Sequence, residues 1–434
     1  MLQRPRVRVC LLGLLGGVSV CLYAQEFTIA TYLWVFVPLC GLYGLALGVV
    51  FGRSAAGAPG SLALIVVFAV LFRLLVVASP LILSSDLYRY VWDGRVQRAG
   101  INPYRYAPEA EALAGLRDTA IYPQVHRPAL PTIYPPVAQM LFALITALVP
   151  DSVRGMKQSM LCFDLITLVL IILLLKRTGQ APERVLLYAW SPLVVFEFAG
   201  SGHVDVLMLP LLLLALLARL AQWPALAGVL LGLATLTKLY PAVVFPALYQ
   251  RAERRFPLGF AITLVLGYGL YLPGAGSQVF GYLPGYFGPW EDFNGGLRSW
   301  LTLAFMPLTE QARLLAAAVC ALLLLVVAYR VHWRVQESNV LQCAGVMIAA
   351  YLLLVPTTFH PWYVIWLLPC LCVRPLWGWL YLSGAIALSY VAYTLEYPTV
   401  PLPLHLLEFV PCYGLLLLQR YWPSLRRLRT QLLE

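Results

Sequence analysis

Asp86 opens the run Ser84-Ser85-Asp86-Leu87-Tyr88-Arg89-Tyr90-Val91-Trp92-Asp93-Gly94, directly after a long apolar stretch. A carboxylate at a water–lipid boundary is partly desolvated, which raises its basicity and suits it to take a proton from a hydroxyl. The same position suits a carboxylate that stabilises the N-terminus of a helix from Leu87 to Arg98, and the sequence weighs the two roles evenly. For Asp93 a structural role is favoured. The turn Gly200-Ser201-Gly202-His203-Val204-Asp205 brings a His and an Asp together, where they could bind a hydroxyl or phosphate oxygen or simply make a capped glycine turn. Lys238, in Thr237-Lys238-Leu239-Tyr240-Pro241, is a lone cation at the end of a short apolar segment. Charge at such depth is costly, so Lys238 reads as an anion-binding group in preference to a snorkelling one. His360-Pro361-Trp362-Tyr363 and Trp290-Glu291-Asp292-Phe293-Asn294-Gly295-Gly296-Leu297-Arg298 combine a His, both signs of charge and aromatic rings. That composition suits a sugar, whose ring stacks and whose hydroxyls hydrogen-bond, and equally an interfacial belt or a solvated loop.

The elements that hold these residues are apolar. Of 434 residues, 61% are hydrophobic and 11% charged, with mean hydropathy +0.80. A water-soluble domain carries roughly 25% charged residues, so the bilayer is the solvent. Apolar runs of helix-spanning length recur along the chain, and they are too long and too uniform for a barrel of alternating strands. The expectation is an all-α polytopic bundle of about 14 spans (11 to 14) forming a single membrane domain over 1–434. The apolar run from Pro136 to Pro150 is short and proline-bounded, and is read as an interfacial helix. With that choice, the segments on one face hold 18 of the 30 Lys and Arg and carry +14, while the remainder carries −3. Lys and Arg mark the cytoplasmic side. The opposite, outer face then holds a long loop over 84–155, a second over 274–310, and the turns bearing His203, Lys238 and His360. Membrane lipids surround such a chain in a plasma or inner membrane of bacterial type. The first span is expected to stay uncleaved.

Several functions are excluded on composition and motif. The basic residues, though they give a net charge of +11, form no stripe or tail for nucleic acid. There is no phosphate-binding glycine loop, no HExxH or CxxC and no GxSxG, and the nine cysteines read as small core residues. A lipid-linked donor, reached from the membrane, is the simplest inference.

Taken together, Asp86-Leu-Tyr-Arg-Tyr-Val-Trp-Asp-Gly, Asn102-Pro-Tyr104, Tyr134-Pro-Pro, Phe163-Asp164, Gly202-His-Val-Asp205, Thr237-Lys-Leu-Tyr-Pro241, Trp290 with Asn294, and His360-Pro-Trp-Tyr363 resemble the GT-C class of integral-membrane glycosyltransferases. The similarity is to glycosyltransferase family 87 and the polyprenol-phosphomannose-dependent mannosyltransferases, and it runs from Arg73 to Pro369. It implies transfer of a hexose, mannose by analogy, from a polyprenyl-phosphate donor to a lipid or glycan acceptor on the non-cytoplasmic face. Asp86 is then the general base of an inverting displacement. Lys238, His360 and Arg89 become candidates for the departing phosphate, and Asp93, Asn102, Tyr104, His203, Asp205, Tyr240, Trp290, Asn294 and Tyr363 for substrate. Several relatives carry a DxD in the first loop, whereas Tyr88 stands two residues after Asp86, which puts a divalent metal in doubt. The competing reading is a transporter or flippase for a lipid-linked glycan, using Asp164, Glu197, Asp205 and Lys238 along a path through the membrane.

Overall fold

A computed structural model describes residues 5–25, 28–52, 60–286, 288, 292–395 and 399–433. Among them the protein is helical, with one isolated bridge, between Phe293 and Thr358, and no strand. The longer α-helices begin with α1 (Pro5–Gln25), α2 (Ile29–Phe51), α3 (Ser61–Val77), α4 (Asp86–Arg98), α5 (Pro136–Leu148) and α6 (Val153–Arg177). Next come α7 (Asp205–Leu220), α8 (Pro224–Thr237), α9 (Arg255–Gly269), α10 (Leu297–Phe305), α11 (Ala312–Arg334) and α12 (Val340–Leu354). The chain closes with α13 (Leu368–Val373), α14 (Trp377–Ala385), α15 (Tyr390–Thr394) and α16 (Leu402–Leu433). Helix is the form that satisfies every backbone group within its own segment, as the hydrocarbon core requires.

Five described helices are long and apolar enough to cross a membrane, or up to six if the bent pair Pro192–Gly200 and Asp205–Leu220 counts as one. This is fewer than the 14 spans read from the apolar runs. The reason is local: helices stop at Lys238, just before Tyr240-Pro241, and at Gly202, so several apolar runs become pieces of 10 to 17 residues. The bent pair turns by 117° across its break. Helix α5 has 13 residues, roughly 20 Å of rise against a hydrocarbon core about 30 Å thick.

Small residues let backbones meet where lipid gives no hydrophobic drive for association. Gly228 and Gly232 of α8 face α9 so closely that a Cβ on Gly228 would lie 2.1 Å from the Phe256 carbonyl oxygen. Charge supplies the second fastening. Arg73 of α3 donates from Nε to Asp164 Oδ2 of α6 at 2.6 Å and from Nη1 to the Ala189 carbonyl at 2.7 Å. Tyr188 donates to the other Asp164 oxygen at 2.7 Å, and neither charged side chain has any exposure. Removing one partner of such a pair strands a charge in low dielectric. Asp164→Ala should therefore cost about 3–5 kcal/mol of stability, whereas Arg73→Met combined with Asp164→Leu should recover most of it. Thermal unfolding of the detergent-solubilised protein measures both.

Candidate active site

A cavity of about 830 Å³ opens where the helices break. Its wall takes Asp86 and Arg89 from the first turn of α4, Asp205 from the start of α7, Lys238 from the end of α8, and His360 and Tyr363 from the turn beyond α12. Tyr240 joins them after the break that follows Lys238. Four separate stretches of sequence thus converge on one space.

Asp86 is the first residue of α4, and Ser85, which precedes it, makes no side-chain cap bond. The Asp86 carboxylate is not spent on the helix end. It is 31% exposed, and its Oδ2 lies 3.4 Å from Nδ1 of His203. The other imidazole nitrogen, Nε2, lies 3.2 Å from Oε2 of Glu197, so His203 stands between two carboxylates. Angles at both nitrogens fall outside hydrogen-bond geometry, and charge carries the contact. Burial pushes the His203 ring toward neutrality, but the two carboxylates outweigh it and raise its pKa to about 9. Burial likewise pushes the Asp86 carboxyl up. The contact with His203 and the charges of His203 and Lys238 overcome that push and hold the carboxyl below its usual range. The expectation that desolvation raises the basicity of Asp86 is therefore reversed: the group is kept ionised. His360 goes the other way, because burial lowers its pKa to about 3 and leaves it a neutral ring.

His203 is held from the sides by aromatics. Its ring stacks on Trp362 at 3.6 Å between centroids, and His360 stacks on Trp362 at 4.3 Å. Gly202, at φ +70°, permits this approach, since a Cβ there would lie 2.8 Å from Leu87.

Asp205 is fully buried and holds Lys238, whose Nζ donates to both carboxylate oxygens at 2.8 and 2.9 Å. The Trp366 indole donates to the same carboxylate at 2.5 Å. Lys238 keeps 23% of its side chain exposed and lies 4.7 Å from the centre of the Tyr363 ring. Tyr240 stacks on Trp366 at 3.7 Å, and Tyr363 shares a 2.9 Å hydroxyl contact with Tyr286. The cavity lining thus combines an ionised carboxylate, a tethered cation and several aromatic rings. Arg89 is tied down more firmly, donating from Nε to Asp93 at 2.9 Å and from Nη1 to the Leu130 carbonyl at 3.2 Å.

Four more expected residues stand, like His203, behind the cavity. Asp93 accepts from Thr132 at 2.7 Å and from Gln139 at 2.8 Å, and so binds α4 to the chain ahead of α5 and to α5 itself. Asn102 donates to the Tyr271 carbonyl at 2.7 Å, and Tyr104 to the Tyr134 carbonyl at 2.7 Å. Asn294 donates to Glu408 of α16 at 2.8 Å, where both are buried. Trp290 lies outside the described residues. Three further groups on the wall, His126, Arg127 and Tyr393, were missed by sequence reasoning. The only signal for the first two was an adjacent His-Arg pair within the segment 84–155. Among the described residues no three of His, Cys, Asp and Glu are grouped to hold a metal ion.

This arrangement can ionise a base, bind an anion and stack a sugar ring. The family model for the MptA_B family, alpha-(1->6)-mannopyranosyltransferase, N-terminal domain, matches residues 16–252, more than half of the chain. The protein belongs to that mannosyltransferase family. It is a glycosyltransferase, as the resemblance to GT-C enzymes implied. No curated protein matches the chain. The region shared with the mannosyltransferase family contains Asp86, Arg89, Glu197, His203, Asp205, Lys238 and Tyr240, and ends before His360. The family match favours the enzyme over the transporter reading; of the four residues named for a membrane path, Asp164 is sealed against Arg73 and Glu197 is buried off the cavity, while Asp205 and Lys238 line it.

The raised pKa of His203 also links the site to stability. A group whose pKa is higher folded than unfolded stabilises fully below its unfolded value, about 6.5 for His, and loses that contribution as pH rises through its folded value. The thermal midpoint should therefore fall as pH passes about 9. In His203→Gln this alkaline decline should be absent, as thermal scans across pH will show.

Proposed function

We propose that the protein transfers mannose from a polyprenyl-phosphate donor to a lipid or glycan acceptor, with Asp86 as general base. The observation that carries this reading is the ionised Asp86 carboxylate, open to a cavity of about 830 Å³ that also contains Lys238 and the Tyr363 ring. The cavity lining also includes Ile29, Leu81, Ile82, Leu83 and Ile133, apolar side chains that suit contact with a prenyl chain. Polar headgroup and apolar tail are thus accommodated in continuity.

In the proposed step the acceptor hydroxyl gives its proton to Asp86 while its oxygen bonds to the anomeric carbon. The bond from that carbon to the phosphate oxygen breaks, and its electron pair leaves with polyprenyl phosphate. Charge builds on the departing oxygens, so donors placed there stabilise the transition state more than the ground state. Lys238 is the best-placed donor, since Asp205 fixes it while part of its side chain remains open to the cavity. Neutral His360 serves as a hydrogen-bond partner, and Arg89, held by Asp93, adds positive charge to the wall. Displacement with inversion yields an alpha linkage, the type named for the family, only from a beta-linked donor.

The site belongs to the non-cytoplasmic face, on the argument that Lys and Arg concentrate on the other side. In this topology the segment 84–155 is the first outer loop, with α4 and α5 as its interfacial helices, and 274–310 is the second. Among the described residues, five helices long enough to cross, the bent pair and six shorter apolar helices then make up the membrane part.

Asp86→Asn should lose transfer from a polyprenyl-phosphate hexose by about 10²–10⁴-fold, the range for a general base, with thermal stability retained. Retained turnover removes Asp86 as base. Lys238→Ala should weaken use of the lipid-phosphate donor, read as a raised KM for that donor with a lowered kcat. For the topology, single cysteines replacing Glu109 and Lys176, both exposed, should be labelled from opposite sides of the membrane. Labelling from the same side overturns the assignment.

A further inference from the structure

We propose that Glu197 is a positioning residue for the Asp86 base, acting through His203, which it holds charged and in place at the back of the cavity. This rests on the reading of Asp86 as base and extends it to a residue that touches no substrate. Glu197 has no exposure and forms no part of the cavity wall. A carboxylate so enclosed is costly unless a charge or donors compensate it. Both kinds of compensation are present: Tyr390 of α15 donates to Oε1 at 2.6 Å, and His203 faces Oε2 at 3.2 Å. Asp86, His203, Glu197 and Tyr390 therefore form one line from the cavity into the core.

The backbone is shaped to make that line. Glu197 sits in a single π-helical turn, Val195–Gly200, in which the Ser201 amide donates to the Phe196 carbonyl at 2.8 Å. Such turns widen a helix at a cost and are frequent at functional sites. The turn is followed directly by Gly202, whose left-handed conformation brings His203 beneath α4. The Val204 amide then donates to the Tyr90 hydroxyl of α4 at 3.1 Å, and the Trp362 stack fixes the plane of the imidazole. Packing alone would be met by a neutral side chain at 197. What the carboxylate adds is the second negative charge against His203, and with it an imidazolium that stays beside Asp86 and fixes the carboxylate toward the acceptor.

The other charged or titratable groups around this line are Tyr32 from α2, Tyr90 from α4, Tyr134, Asp205 from α7, Lys238 from α8, Tyr393 from α15, Arg127 and His360. All are unchanged in Glu197→Gln, so a difference in pH profile reports on Glu197. In the unaltered protein kcat should fall on the alkaline side as His203 loses its proton, near pH 9. Glu197→Gln removes one of the two anions facing His203. Its alkaline limb should move down by about one pH unit, and kcat at neutral pH should fall about tenfold with little change in KM. The acid limb, which reports Asp86, should not rise. Glu197→Asp, which keeps the charge, should restore the alkaline limb. An alkaline limb at its original position in Glu197→Gln overturns the proposal, because a purely structural role lowers activity without moving the limb. If Glu197→Gln does not insert, the limb is read in Glu197→Asp and His203→Gln: it must persist in the first and vanish in the second, and any other pattern overturns the proposal. Asp86→Asn separates the two levels. If that variant keeps full turnover, the reading of the site fails; if it is inactive while the Glu197→Gln limb is unmoved, only the role of Glu197 fails.

Discussion

Asp205 cannot be left alone. It is fully buried, and a carboxylate removed from water costs several kcal/mol unless charge and donors surround it. Lys238 supplies the charge from the end of α8, and Trp366 supplies an indole donor from the turn beyond α12. One carboxylate therefore joins three stretches of chain at the point where each departs from regular helix. The cavity exists because those breaks are held together there. Unpaired backbone at such breaks is tolerable in a membrane protein only where protein or a polar cavity covers it.

The same requirement, met to different degrees, separates structural charge from chemical charge. Arg73 and Asp164 are closed off completely and have their hydrogen bonds within the helices they join. Lys238 is paired yet retains 23% exposure of its side chain toward the cavity. Asp86 retains 31% and is paired with His203. A charge that is satisfied and still accessible can exchange partners with a substrate, whereas one that is sealed can only hold helices in place. Mannosyl transfer, the activity of the family, needs the accessible kind wherever charge develops, at the acceptor oxygen and at the leaving group.

Two histidines in one aromatic stack are given opposite charge states. His203 lies between two carboxylates and is held protonated, while His360, stacked on the other side of the Trp362 indole, has its pKa lowered to about 3. Burial acts against the charged form of both. The difference lies in which carboxylates come within reach, and this divides a fixed positive charge behind Asp86 from a neutral ring at the wall.

Local composition was enough to read the bilayer solvent, the helical class, the breaks at Gly202 and Lys238, and the residues Asp86, His203, Lys238 and His360, because each depends on a few adjacent residues. Their convergence depends on contacts between residues as far apart as Asp205 and Trp366, which no local pattern encodes. Hence, whereas a structural role was already favoured for Asp93, the residues Asn102, Tyr104 and Asn294, polar and near the motifs, could not be told in advance from residues of the wall. The structure gives them partners at Thr132, Tyr271, Tyr134 and Glu408 and turns them into fastenings behind it. The ionisation of Asp86 was misjudged for the same reason. Depth in the membrane is visible in a sequence and raises a carboxyl pKa, but the imidazolium that reverses the shift is brought to Asp86 only by the fold.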